Sequence, residues 1–124
     1  MHPVILLVDD DQPTLDLLEQ LLRPLNVSVL RALDGAAAID LLARHRPDMM
    51  FLDLLLPQVS GVDVLHFVRN TSHLHNMYVG IITAHSGVIP SELNNRIDGY
   101  FVKPLRMKEI RDMVLTVIDQ QHTA

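Results

Sequence analysis

Five short apolar runs punctuate the 124-residue chain at Val4–Val8, Val27–Arg31, Met49–Leu52, Tyr78–Ile82 and Tyr100–Val102, with helical hydrophobic period between them. Runs that are apolar rather than alternating suit strands buried on both faces, and strands alternating with helices suit a parallel sheet whose crossovers cover both sides. Chain chirality makes those crossovers right-handed. The spacing predicts helices at Thr14–Arg23 with Leu15, Leu18 and Leu22 inward, at Ala36–Arg44 with Ile39, Leu42 and Ala43 inward, and at Val62–Arg69 with Val62, Leu65 and either Val68 or Arg69 inward. A fourth, short helix is placed at Ser91–Arg96. A long last one follows at Met107–Ile118, with Met107, Ile110, Val114, Val117 and Ile118 on one side. Pro13 suits a first helical turn, and Pro24, Pro47, Pro57 and Gly61 mark boundaries. The expectation is one α/β domain over residues 1–124, a doubly wound five-stranded parallel sheet with five helices.

The runs end in polar residues. Asp9, Asp10 and Asp11 follow the first, Asp53 the third, Thr83 the fourth, and Lys103-Pro104 the fifth. Neighbouring parallel strands share a carboxyl edge, so these groups converge on one crevice. Two carboxylates about 5 Å apart repel by roughly 3 kcal/mol at an effective dielectric near 20, so Asp9, Asp10 and Asp53 resist ionising together. A hard divalent cation resolves the conflict, and Mg²⁺, which typically uses one or two carboxylates beside a phosphate, matches the inventory. An aspartate can act as a nucleophile toward phosphorus, and phosphoryl transfer then needs mainly positioning and neutralisation of charge. Asp53, Lys103 and Thr83 fit those roles.

Composition narrows the partners. The net charge of −5, ten scattered Lys and Arg, two Tyr, three Phe and no Trp disfavour direct nucleic-acid binding by this chain. The absence of cysteine excludes disulfides and thiolate zinc sites. No apolar run reaches bilayer length and the N-terminus lacks a signal-like pattern, so a cytoplasmic protein without membrane attachment is expected.

Four motifs, Leu6–Pro13 (LLVDDDQP), Phe51–Gly61 (FLDLLLPQVSG), Ile81–His85 (IITAH) and Gly99–Leu105 (GYFVKPL), together with their order, resemble the receiver domain of two-component response regulators. The resemblance covers nearly the whole chain. It implies the flavodoxin-like strand order 2-1-3-4-5, for which a chemotaxis regulator of this family is a standard example. It also implies Asp53 as phosphoacceptor, Asp10 as a direct ligand of Mg²⁺ (or Mn²⁺), Asp9 acting mainly through water on the metal, and the Leu55 backbone carbonyl as a further ligand. Thr83 and Lys103 match the hydroxyl and lysine that contact the phosphoryl oxygens, Pro104 the proline that follows a cis bond, and Tyr100 the switch aromatic. Leu55 and His85 hold the positions that tune phosphoryl lifetime. The implied partners are a sensor histidine kinase or histidine phosphotransfer protein and, through the face of the fourth helix, fifth strand and fifth helix, a downstream protein or a second copy.

One departure concerns that face. The segment from Thr83 to Lys103 is about two residues shorter than the family pattern and contains Gly87 and Pro90, which weakens a fourth helix there. His73 and His75 fall in a polar loop without helical ligand spacing and are expected to face solvent, while the leucines of 15–25 are expected in the core. The alternatives are a Mg-dependent phosphohydrolase passing through an aspartyl-phosphate, or a receiver-like adaptor that takes no phosphate. The first usually places a second Asp two residues after the nucleophile, where this chain has Leu55. The expected protein assists its own phosphorylation without being a dedicated enzyme.

Overall fold

The structure, a computed structural model, describes residues 2–84 and 91–122, the side chains of 92, 93, 96, 121 and 122 excepted. The strands are β1 (Val4–Val8), β2 (Ser28–Ala32), β3 (Met49–Asp53), β4 (Tyr78–Thr83) and β5 (Gly99–Val102). All pair in parallel, in the order β2-β1-β3-β4-β5. This is the order the resemblance implied. Helices α1 (Gln12–Leu22), α2 (Gly35–Arg44), α3 (Gly61–Arg69) and α4 (Met107–His122) are accompanied by a 3-10 segment at Ser91–Arg96.

The described residues therefore contain four α-helices, not five. Asn94 and Asn95 are poor helix-interior residues, and only two residues separate Arg96 from β5, so the segment closes the tighter i→i+3 pattern, seen in Ile97 N–H donating to Asn94 C=O at 3.2 Å.

Each face of the sheet has its own core. Leu6, Val8, Met50, Leu52, Val79 and Ile81 pack under α2 and α3, with Ala38, Leu42, Val64, Leu65 and Val68. Ile5, Leu7, Met49, Phe51 and Ile82 pack under α1 and α4, with Leu15, Leu18, Leu22, Ile110, Val114 and Val117. Successive strand residues feed opposite cores, which is why the runs carry no polar alternation.

The helical phase needs three corrections. On α2 the buried pair is Ala38 and Leu42, with Ile39 half-buried and Ala43 exposed, because the helix starts at Gly35 and turns that side outward. On α3, Leu65 and Val68 are buried as the spacing predicts, but Val64 is buried as well and Val62 only half so. Leu17 is exposed on the outer face of α1 although its neighbours Leu15 and Leu18 are core. His73 also departs from expectation. It is half-buried, and its Nε2 bonds the Leu42 carbonyl at 2.9 Å, tying the turn before β4 to the last turn of α2.

At the amino end of β4, the Tyr78 ring packs on Phe51 at a centroid distance of 6.2 Å, and its hydroxyl is buried with no hydrogen-bond partner among the described residues. A buried hydroxyl without a partner costs about 1–3 kcal/mol. Tyr78→Phe is expected to raise stability by about 1 kcal/mol, read from urea denaturation at pH 7. Burial, with the Asp98 charge, pushes the Tyr78 phenol up to about 12. The folded state thus holds this proton more tightly than the unfolded chain, so stability falls as pH rises between about 10 and 12, and the Phe variant lacks that component.

Candidate functional site

Four of the five strands deliver polar residues to the carboxyl edge. Val8 pairs with Ala32 on one side and Leu52 on the other, and Thr83 pairs with Val102, so the residues just beyond these positions lie along one rim. Asp9, Asp10 and Asp53 each bring one carboxylate oxygen within 4.8 Å of the others. Asp9 and Asp53 are buried, at 2% and 5% exposure, and Asp10 is exposed. Lys103 spans the buried pair, its Nζ donating to Asp9 Oδ2 at 2.9 Å and to Asp53 Oδ2 at 3.2 Å.

The carboxylates are oriented by the backbone. Asp9 Oδ1 accepts the Asp11 N–H at 2.8 Å, and Asp53 Oδ1 accepts the Leu55 N–H at 3.0 Å. Thr83, 1% exposed, ends β4, where its carbonyl accepts the Lys103 N–H at 2.7 Å and holds the end of β5 alongside. The bond between Lys103 and Pro104 is cis, as the resemblance implied. Leu55 lies on the loop after Asp53 with its side chain 59% exposed. Tyr100 sits on β5 opposite Ile81, on the same sheet face as Thr83, and is exposed. The expectation for His85 lies outside the described residues.

Three carboxylates and one ammonium leave the crevice with a deficit of positive charge. Burial pushes the Asp53 carboxyl above its ordinary value; the Leu55 N–H and Lys103 oppose this, and the Asp9 charge adds to it. Burial works against the Lys103 ammonium, yet the Asp9 hydrogen bond and the charges of Asp9 and Asp53 outweigh it and raise its pKa. An all-oxygen donor set with two net negative charges fits a hard divalent cation, which would bring the cluster to neutrality.

Two further residues shape the site without standing out in the sequence. Gly61, a loop boundary by sequence, packs directly beneath the Asp53 loop: a Cβ there would lie 2.6 Å from Leu54 Cα and 2.7 Å from the Asp53 carbonyl oxygen. Gly35 makes a similar approach, its virtual Cβ 2.2 Å from the Val59 carbonyl oxygen, so α2 begins against the same loop. The only sequence signal is a glycine at the first position of a helix, where no glycine is required. Asp11, adjacent to Asp9 and Asp10 in the chain, belongs to α1 and not to the carboxylate cluster.

Comparison with known proteins points the same way. A profile of the response regulator receiver domain matches residues 5–115. The probable transcriptional regulatory protein TcrX of Mycobacterium tuberculosis is 36% identical over 112 residues, covering 88% of this chain and 47% of that protein. CpxR of Escherichia coli, a transcriptional regulatory protein, is 32% identical over 120 residues, covering 95% and 50%. The chain thus spans about half the length of these relatives. A signal receiver domain of an HD domain-containing protein from Pseudomonas fluorescens superposes with a TM-score of 0.81 at 27% identity, with full coverage of both chains. Sequence profile, relatives and strand order agree with the carboxylate crevice, and the chain belongs to the receiver domains of two-component response regulators.

Proposed function

We propose that residues 1–124 act as one phosphoacceptor unit in which Asp53 takes a phosphoryl group from a phosphohistidine on a sensor histidine kinase or a histidine phosphotransfer protein. The observation that carries this reading is the Lys103 ammonium held between Asp9 and Asp53, with Asp10 beside them. Asp10, Asp53 and the Leu55 carbonyl would hold Mg²⁺ (or Mn²⁺), with Asp9 supporting from behind. Bound there, the cation supplies positive charge for the phosphoryl oxygens and relieves the repulsion among the carboxylates.

The chain's own groups do the remainder. A carboxylate oxygen of Asp53 forms the new bond to phosphorus as the bond to the donor imidazole nitrogen breaks, and that nitrogen keeps the electron pair. Lys103 and the Thr83 hydroxyl steady the transferred oxygens. The product adds negative charge to the loop after β3, and Thr83 and Tyr100, on one sheet face, bias the surface of the 91–96 segment, β5 and α4 between two arrangements. Exposed Tyr100 and Val102 on that surface suit a downstream protein or a second copy of the chain. This is a cytoplasmic switch that assists its own phosphorylation, without direct contact to nucleic acid. No described helix is long and apolar enough to cross a membrane.

Incubation with acetyl phosphate and Mg²⁺ is expected to add the mass of one phosphoryl group to the intact protein. Chelation with EDTA and the Asp53→Asn substitution should each abolish the gain. A phosphorylated Asn variant would overturn the assignment.

Leu55 supports a further prediction. Its exposed side chain stands at the rim of the crevice and offers an attacking water no hydrogen bond. Leu55→Asn, which does, is expected to shorten the half-life of the phosphorylated protein several-fold, and His85 is the companion position for the same assay. Equal half-lives for Asn and parent would rule the effect out.

A further inference from the structure

The three adjacent aspartates divide into different jobs. Asp9 is buried, with one oxygen on Lys103 and the other on the Asp11 N–H. Asp10 faces outward and completes the carboxylate group with Asp53. Asp11 turns its carboxylate away to cap α1: its Oδ2 accepts the Thr14 N–H at 3.1 Å and also the Thr14 hydroxyl, while its carbonyl accepts the Leu15 N–H at 3.2 Å.

One residue is therefore bonded in two directions. Its side chain is fastened to the first turn of α1, and its N–H is fastened to the Asp9 oxygen that Lys103 leaves free. The extended backbone of a helix N-cap, here φ −92° and ψ 103°, fixes where that N–H points. Asp9 is otherwise anchored only at its own N–H, which donates to the Ala32 carbonyl at 3.2 Å, and at Lys103, among the described residues.

We infer that Asp11 is a positioning residue for the metal crevice: by capping α1 it sets the Asp11 N–H that orients the Asp9 carboxylate. The inference deepens the metal reading proposed above and rests on it. Loss of a group that orients a ligand through a hydrogen bond typically weakens metal binding by roughly 10- to 100-fold. Asn caps a helix as well as Asp does, whereas Ala does not. Asp11→Asn and Asp11→Ala remove the same charge and differ in the cap, so their comparison isolates positioning from electrostatics.

Calorimetric titration of the full chain with MgCl₂ is expected to show Asp11→Asn within about threefold of the parent and Asp11→Ala weaker by about tenfold or more. Asp11→Gly, which a helix N-terminus tolerates better than Ala, supplies a folded control should Ala fold poorly, and is expected to weaken binding like Ala. Equal affinities for Asn and Ala, or an Ala variant that binds like the parent, would overturn the inference. A readout without metal separates it from the metal reading. The residue 11 amide proton should resonate downfield in parent and Asn variant, and move upfield in Ala and Gly. A parent that binds no Mg²⁺ but shows this pattern would sink the metal reading and leave the positioning geometry standing; an unchanged amide would sink the positioning itself.

Discussion

Lys103→Ala is expected to cost about 3 kcal/mol of stability at neutral pH in Mg²⁺-free buffer, the low end of the cost of removing one partner from a buried charge cluster. The low end applies because the lysine side chain is a quarter exposed, whereas Asp9 and Asp53 are nearly fully buried and keep no other cation within hydrogen-bond distance among the described residues. The pH dependence gives the sign. In the parent the Lys103 pKa is raised, so its contribution is complete below the ordinary value of 10.5 and fades as pH rises through the higher folded value. The Asp53 pKa is also raised, so the folded state binds its proton more tightly than the unfolded chain and stability falls as pH climbs above about 4. Removing Lys103 deletes one of the groups that hold Asp53 down. The deficit of the Ala variant should therefore be largest near neutrality, shrink as the carboxylates protonate on acidification, and be partly recovered by Mg²⁺. Urea denaturation at several pH values, with and without the cation, measures all three. A deficit that is flat across pH would show that lost packing, not charge, is responsible.

Gly61→Ala is expected to cost about 2 kcal/mol, even though alanine is intrinsically the better helix residue by about 1 kcal/mol. The reason is contact. The new methyl would meet Leu54 Cα and the Asp53 carbonyl oxygen, both backbone atoms, and no side-chain rotation relieves that. The Gly61 N–H also donates to the Leu54 carbonyl at 3.1 Å, so the start of α3 and the Asp53 loop must move together. Displacing the loop should weaken Mg²⁺ binding as well as stability, read from thermal melts and calorimetry on one sample. Normal stability with normal Mg²⁺ affinity would show that the loop yields freely and that Gly61 gives it no rigid support.

The kind of interaction decides how legible each part of the molecule is in its sequence. The three central strands β1, β3 and β4 are readable because burial on both faces leaves an uninterrupted apolar run, whereas the edge strands β2 and β5 are only partly buried and show a weaker signal; the meeting of Asp9, Asp10, Asp53 and Lys103 comes from parallel strands sharing an edge. Helical phase is less legible. Ala43 and Leu17 are apolar but exposed, and short apolar side chains such as alanine give a weak directional signal. The 3-10 form of 91–96 is only half visible, since Gly87 and Pro90 argue against a long helix but do not choose the hydrogen-bond pattern that replaces it. Gly61 and Gly35 are hidden because each depends on a partner whose position only the folded backbone supplies, whereas the cap on Asp11 is local, its partner Thr14 lying three residues on at the start of a helix the sequence already marks. His73 is hidden for the same reason: its partner, the Leu42 carbonyl, is 31 residues away.

Borohydride trapping tests the central claim most directly. An aspartyl phosphate is reduced to homoserine, so after phosphorylation in Mg²⁺ and reduction, peptide sequencing by mass spectrometry should find homoserine at position 53 and intact aspartate at positions 9, 10 and 11. Homoserine at Asp9 or Asp10, or none anywhere in a sample shown to be folded and Mg²⁺-loaded, would contradict the account.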